Sequence, residues 1–245
     1  MDLSRQLLAA DEDQSGYNKD KINALGDALN SAMEHIGTAI KEEIETELIN
    51  KIGEKWYSKE AQDYFKVVKK EIGSSAEVIR GIFSQFRDSL QERGETWARA
   101  TGNASPSIGS IKELVIDVSI SPIKELREDG AAVLYEKDVN TIADNLDNVE
   151  KDLKAKIQKY KEELDASTAF IGHGQAQAIS DCFDRILGEI HSMFQYLLVG
   201  DMSVKAALKA FKEKYKNKAE NEREGFNNTQ VNIDVKPQMN SGIQG

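Results

Sequence analysis

Apolar residues recur along most of this chain at three- and four-residue steps, the spacing that keeps side chains on one face of an α-helix. Ile22, Leu25, Leu29, Met33, Ile36, Ile40, Ile44 and Leu48 form the first stripe and predict a long helix ending near Gly53. After Trp56-Tyr57, Ser58 is a suitable cap for a new helix that begins with Glu60 and Ala61. The new stripe is Ala61, Phe65, Val68, Ile72, Ile79, Phe83, Phe86, Leu90 and Trp97. Two long helices joined by a short turn fold back on each other as an antiparallel hairpin. A second hairpin is expected from Val139, Ile142, Leu146, Val149, Leu153, Ile157, Tyr160 and Leu164, followed by Ala176, Ile179, Phe183, Ile186, Ile190, Phe194 and Leu197. Gly200-Asp201 then interrupts the period, and Asp201 or Ser203 can cap a last segment with Val204, Leu208, Phe211 and Tyr215.

Between the hairpins the pattern changes. Gly102, Ser105, Pro106, Ser107, Gly109 and Ser110 read as a linker. Residues 114–121 are β-branched and partly alternating, and Pro122 ends the run, so a short strand is expected. Residues 230–236 share its Ile-Asp-Val, and the two segments can pair as a two-stranded ribbon. A lone hairpin leaves part of its apolar face uncovered, and packing hairpin on hairpin covers it. The expected fold is therefore all-α: two long antiparallel helical hairpins forming a four-helix bundle, with that ribbon as its only β-structure. The organisation is an acidic leader (1–18), a first hairpin (19–101), a linker with a strand (102–132), a second hairpin (133–222) and a polar tail (223–245).

Composition supports this and narrows the function. The chain has 3 prolines, and Pro106 and Pro122 flank its middle, which leaves the regions on either side able to hold long helices. A net charge of −10 repels phosphate backbones, so nucleic acid is not an expected partner. The lysines at 212, 214, 216 and 218 alternate with Glu213 and Glu220 as a solvated face. Residues 1–20 lack the basic and apolar regions of a signal peptide, and no apolar run has the length of a membrane span, so stable membrane insertion is not expected.

Candidate chemistry is sparse. Asp11, Asp13, Ser15 and Gly16 imitate the start of a calcium loop, but Ile22 stands where the bidentate glutamate belongs. His35, His173 and His191 lie outside any metal-ligand spacing, and the Glu-x-x-His pairs of a di-metal bundle are absent. Gly172-His173-Gly174 lacks the rest of a nucleotide-binding loop and reads as a tight interhelical turn. Cys182, the single cysteine, falls near an apolar face and reads as a small buried thiol. No cofactor, metal site or catalytic residue is expected.

The turn Trp56-Tyr57-Ser58-Lys59-Glu60-Ala61, set between two long amphipathic helices, resembles the Trp-X-Gly superfamily of helical hairpins exported by type VII secretion systems. Ser58 stands where that family has glycine. Phe170-Ile171-Gly172 repeats the aromatic-to-small spacing in the second hairpin. The resemblance covers roughly residues 18–100 and 133–222. It implies a non-enzymatic protein with a protein partner, or self-association, through its helical faces. It also implies a secreted or cell-surface location without a cleaved signal peptide; a cytoplasmic location is the alternative. The family's export signal is a tyrosine with an acidic residue four positions later. Tyr215 is well placed, but Ala219 occupies that position and Glu220 lies one step beyond. The resemblance points to a secreted substrate, chaperone or structural partner of type VII export. The alternatives are a structural subunit of a phage particle or other large assembly, and an α-helical pore-forming toxin.

Overall fold

A computed structural model describes residues 19–120, 133–167 and 172–228. The chain divides into two compact units, Met1–Leu208 and Lys209–Gly245. The described residues are mostly helical.

The first stripe forms one continuous helical run: α1 (Lys19–Glu43), a π-helical stretch (Ile44–Asn50) and α2 (Lys51–Lys55). Its apolar residues from Ile36 to Ile52 come mostly at four-residue steps. On an α-helix each such step drifts by about 40°. The wider turns of the π stretch offset that drift, and Ile44, Leu48, Ile49 and Ile52 all stay buried. Chain reversal comes at β1 (Trp56–Tyr57), after which α3 (Lys59–Thr101) runs for 43 residues. Ser58 caps α3 as expected, its Oγ accepting from the Ala61 amide at 3.1 Å. Gly102 ends the helix at φ 71°, the left-handed region that favours glycine. Trp97, the last member of the expected stripe, is 38% exposed.

The second half holds β2 (Val133–Leu134), α4 (Glu136–Asp144), α5 (Leu146–Ser167) and α6 (Gly172–Leu198). The helix expected from Val139 to Leu164 is broken at Asn145, yet Val139, Ala143, Leu146 and Val149 keep one buried face across the break. Gly200, at φ 93°, separates α6 from α7 (Val204–Asn228), and Ser203 caps α7 by accepting from the Ala206 amide. The expected boundary between second hairpin and tail at 222/223 therefore falls inside a helix.

α1 packs against α3 and α5, and α6 packs against the same two helices. His35 meets Tyr160, and Glu43 meets Lys156, so α1 and α5 are antiparallel. Ser75 meets Glu189, and Phe83 meets Phe183, which makes α3 and α6 antiparallel as well.

Residues 103–120 differ from expectation. They form no strand; they are an extended strap lying along α1 and α3. The β-structure present is elsewhere, a two-residue antiparallel pair of Trp56 with Leu134 and Tyr57 with Val133. Residue 121 and the tail segment 230–236, the other half of the expected ribbon, lie outside the described residues, as do 1–18.

Candidate functional site

The Trp56 turn is built by local capping and by distant pairing. Trp56 is fully buried, and its backbone is extended at φ −142°. The Tyr135 amide donates to the Lys55 carbonyl at 2.8 Å, extending the pairing with Leu134 and Val133. Lys55 also lies 3.8 Å from Asp138 and 6.0 Å from the Tyr135 ring centroid. The turn is thus a junction between the two hairpins as well as the reversal of the first. Beside it, Tyr64 is buried with its hydroxyl unpartnered among the described residues, and burial raises the hydroxyl's pKa well above the ordinary tyrosine range.

The strap is held by side chains that take the place of a neighbouring strand. Asn30 donates to the Ser110 carbonyl at 3.2 Å and accepts from the Lys112 amide at 2.9 Å. Gln91 donates to the Pro106 carbonyl at 2.8 Å and accepts from the Ile108 amide at 3.0 Å. Asn23 accepts from the Ser107 amide, Arg87 donates to the carbonyls of Ile108 and Gly109, and Glu45 accepts from the Ser119 amide. Lys69 pairs with Asp117 at 2.6 Å and Lys112 with Glu34 at 3.4 Å. These contacts run upward in number along α1 and downward along α3, so the strap is parallel to α1 and antiparallel to α3.

Three helix glycines let the strap approach. A Cβ on Gly94 would lie 2.4 Å from Cγ of Pro106, and one on Gly26 would lie 3.0 Å from the Gly109 nitrogen. A Cβ on Gly37 would meet Leu114 at 2.7 Å. Pro106, Ile108, Leu114, Ile116 and Val118 are buried, with Val118 fully so.

The titratable groups are spread out. Ser75, buried between α3 and α6, donates to Glu189 at 2.7 Å. Burial and the neighbouring Glu189 raise the Glu71 carboxyl above its ordinary value. Lys69 holds the Asp117 carboxyl below its ordinary value. The nearly buried Glu150 meets Lys154 at 2.5 Å and Nδ1 of His191 at 2.8 Å. Cys182 lines an open cleft with Phe86, Leu90, Arg93 and Arg185, and burial pushes its thiol up to about 12. A thiol so raised stays protonated near neutral pH and is a poor nucleophile. Among the described residues no three His, Cys, Asp or Glu side chains are grouped to hold a metal ion.

Trp56 and Ser58 share one turn. Gly172 opens α6, whereas Phe170 lies outside the described residues. Tyr215 lies in the second unit, its ring 4.3 Å from that of Phe211, and Glu220 pairs with Lys216 at 3.8 Å. The strap clamps were missed. Their signal was available as Asn23, Asn30 and Gln91 on long helices, together with glycines at 26, 37 and 94. Compared with known proteins, the chain is matched by no family model, no curated protein and no solved structure.

Proposed function

We propose that this chain is a non-enzymatic helical interaction protein of the Trp-X-Gly type, acting as a secreted substrate, chaperone or structural partner of a bacterial type VII secretion system. Its four long helices, α1, α3, α5 and α6, close as a four-helix bundle, a reading supported by the way α1 and α6 each pack against both α3 and α5. The observation that carries the functional reading is the turn between α2 and α3. A fully buried tryptophan and a small capping residue two positions later reverse a long amphipathic hairpin there. Such a hairpin recognises its partner by burying apolar stripes, and specificity comes from the polar residues around them.

Among the described residues no helix is long and apolar enough to cross a membrane. In this reading the chain leaves the cell folded, and because Ala219 interrupts the tyrosine-acidic spacing at Tyr215, the export signal is carried by a partner. The test is expression in paired strains with an active or inactivated export ATPase. Appearance in the medium only with the active ATPase, together with co-purification of a helical partner, is the expected result. A protein that stays cytosolic, alone and monomeric in both strains contradicts the proposal.

A further inference from the structure

The two halves of the strap are held differently. Residues 106–112 have backbone groups clamped by Asn23, Asn30, Arg87 and Gln91, and Ser119 is clamped by Glu45. Residues 113–118 are held by side chains instead: Leu114, Ile116 and Val118 are buried, and Asp117 pairs with Lys69. Among the described residues their backbone amides and carbonyls make no hydrogen bond. The outward positions are Glu113, Val115 and Asp117, and Val115 is 71% exposed. The segment is thus extended chain, pinned at both ends and along one face, with a row of donors and acceptors unpaired among the described residues. Such an edge is a template for an incoming strand. Because it is already ordered, pairing does not cost the entropy of ordering it.

We infer that residues 113–118 are a β-augmentation site for a single extended segment of a partner protein, with a β-branched residue opposite Val115 and lysine or arginine opposite Glu113. On α3, one helical turn beyond the Lys69 that pairs with Asp117, Gly73 is exposed and adds no side chain, and a Cβ there would meet nothing within 4 Å. The basic residue follows from cross-strand pairing, in which opposite charges directly across a ladder attract. The chain's net charge of −10 favours the same partner. The strap of a second copy does not fit. Paired strands lie about 4.8 Å apart, whereas the helices backing each strap need about 8–10 Å between axes.

The probe is the acetylated, amidated peptide Lys-Thr-Val-Thr-Lys-Thr, titrated into the full-length protein while amide exchange is followed by NMR. Saturable slowing of exchange confined to 113–118 is expected. Val115→Pro, which removes a donor that has no partner among the described residues, weakens binding about tenfold or more. Glu113→Lys weakens binding to the lysine peptide and leaves the melting temperature in place, which separates lost binding from lost folding. Binding that Val115→Pro and Glu113→Lys both leave unchanged overturns the proposal, as does an absence of added protection at saturating peptide. Protection of 113–118 without peptide also overturns it: the edge is then covered by a second copy if protection grows with protein concentration, and by this chain itself if it does not.

Discussion

The seam between α3 and α6 and the seam between α1 and α3 solve the same problem by different means. At the first, helices meet directly. Phe83 and Phe183 contact edge to face at 6.1 Å between centroids, and Ser75 donates to Glu189 farther along the same seam. At the second, an extended strap fills the groove, seated by five apolar side chains (Pro106, Ile108, Leu114, Ile116 and Val118), admitted by three glycines and aligned by amide side chains. Direct packing depends on volume and is strong but tolerant of register. The strap depends on matching particular donors to particular acceptors, which fixes its direction and position along the helices. The contrast teaches that polar residues on a long helix can specify a path for the chain as well as a solvated face.

Phe83→Ala has the largest expected effect. Truncating a buried aromatic costs about 3–5 kcal/mol, and denaturant unfolding should show that loss across the whole fold. A loss below about 1 kcal/mol would mean that the α3/α6 seam does not depend on direct packing at Phe83. Asn30→Ala comes next. It strips partners from the Ser110 carbonyl and the Lys112 amide, at about 1–3 kcal/mol for groups left unsatisfied. Water can reach this partly exposed site, so the lower end is expected, with faster exchange at Lys112 and little change in α6.

A pair of glycine substitutions on one helix sharpens the comparison. Gly73→Ala enters open space and should stabilise by about 0.5–1 kcal/mol through helix propensity. Gly94→Ala collides with the Pro106 ring, so the same gain is reversed and the melting temperature falls. Equal shifts for the two variants would show that the strap does not press against α3.

The smallest effects are in the pH dependence, and their signs differ between the seams. Glu71 binds its proton more readily when folded, so its contribution is fully present below the ordinary carboxylate value. It is lost as pH rises through the raised one. Glu71→Gln is therefore expected to melt higher than the parent at neutral pH and to match it in acid. Asp117 behaves oppositely: its contribution is present above the ordinary value and is lost as pH falls through the lowered one. Asp117→Asn should melt slightly lower at neutral pH and match in acid. Melting curves of both variants between pH 3 and 8 check the two signs; the same sign for both would contradict the assigned neighbours.

Much of the helical fold is legible in the sequence because apolar residues repeating with a 3.6-residue period share one face only on a helix. Ser58 as a cap and Gly102 as a stop are legible for the same local reason: each satisfies backbone groups within a few residues. The strap is misread because alternation reports only an extended chain with one buried face. It does not say whether a strand or a pair of helices covers that face. Leu114, Ile116 and Val118 have the same pattern in either case. What distinguishes the cases lies about 80 residues away, in Gly37 and Asn30. A glycine within a helix costs about 1 kcal/mol relative to alanine, and at Gly26, Gly37 and Gly94 the missing Cβ leaves the space the strap occupies, whereas at Gly73 it faces open space. The Trp56 pairing with Leu134 is hidden for a similar reason, since neither segment is long enough to show a period.

Residue-resolved amide exchange across 103–120 in the unmodified protein tests the strap most directly. The amides of Ser107, Ile108, Lys112 and Ser119, each donated to a helix side chain, should exchange slowly, and those of 113–118 faster. Asn30→Ala should release Lys112 and leave Ile108 protected by Gln91. Uniformly fast exchange from 103 to 120 would contradict the account, because the strap would then not be seated on α1 and α3.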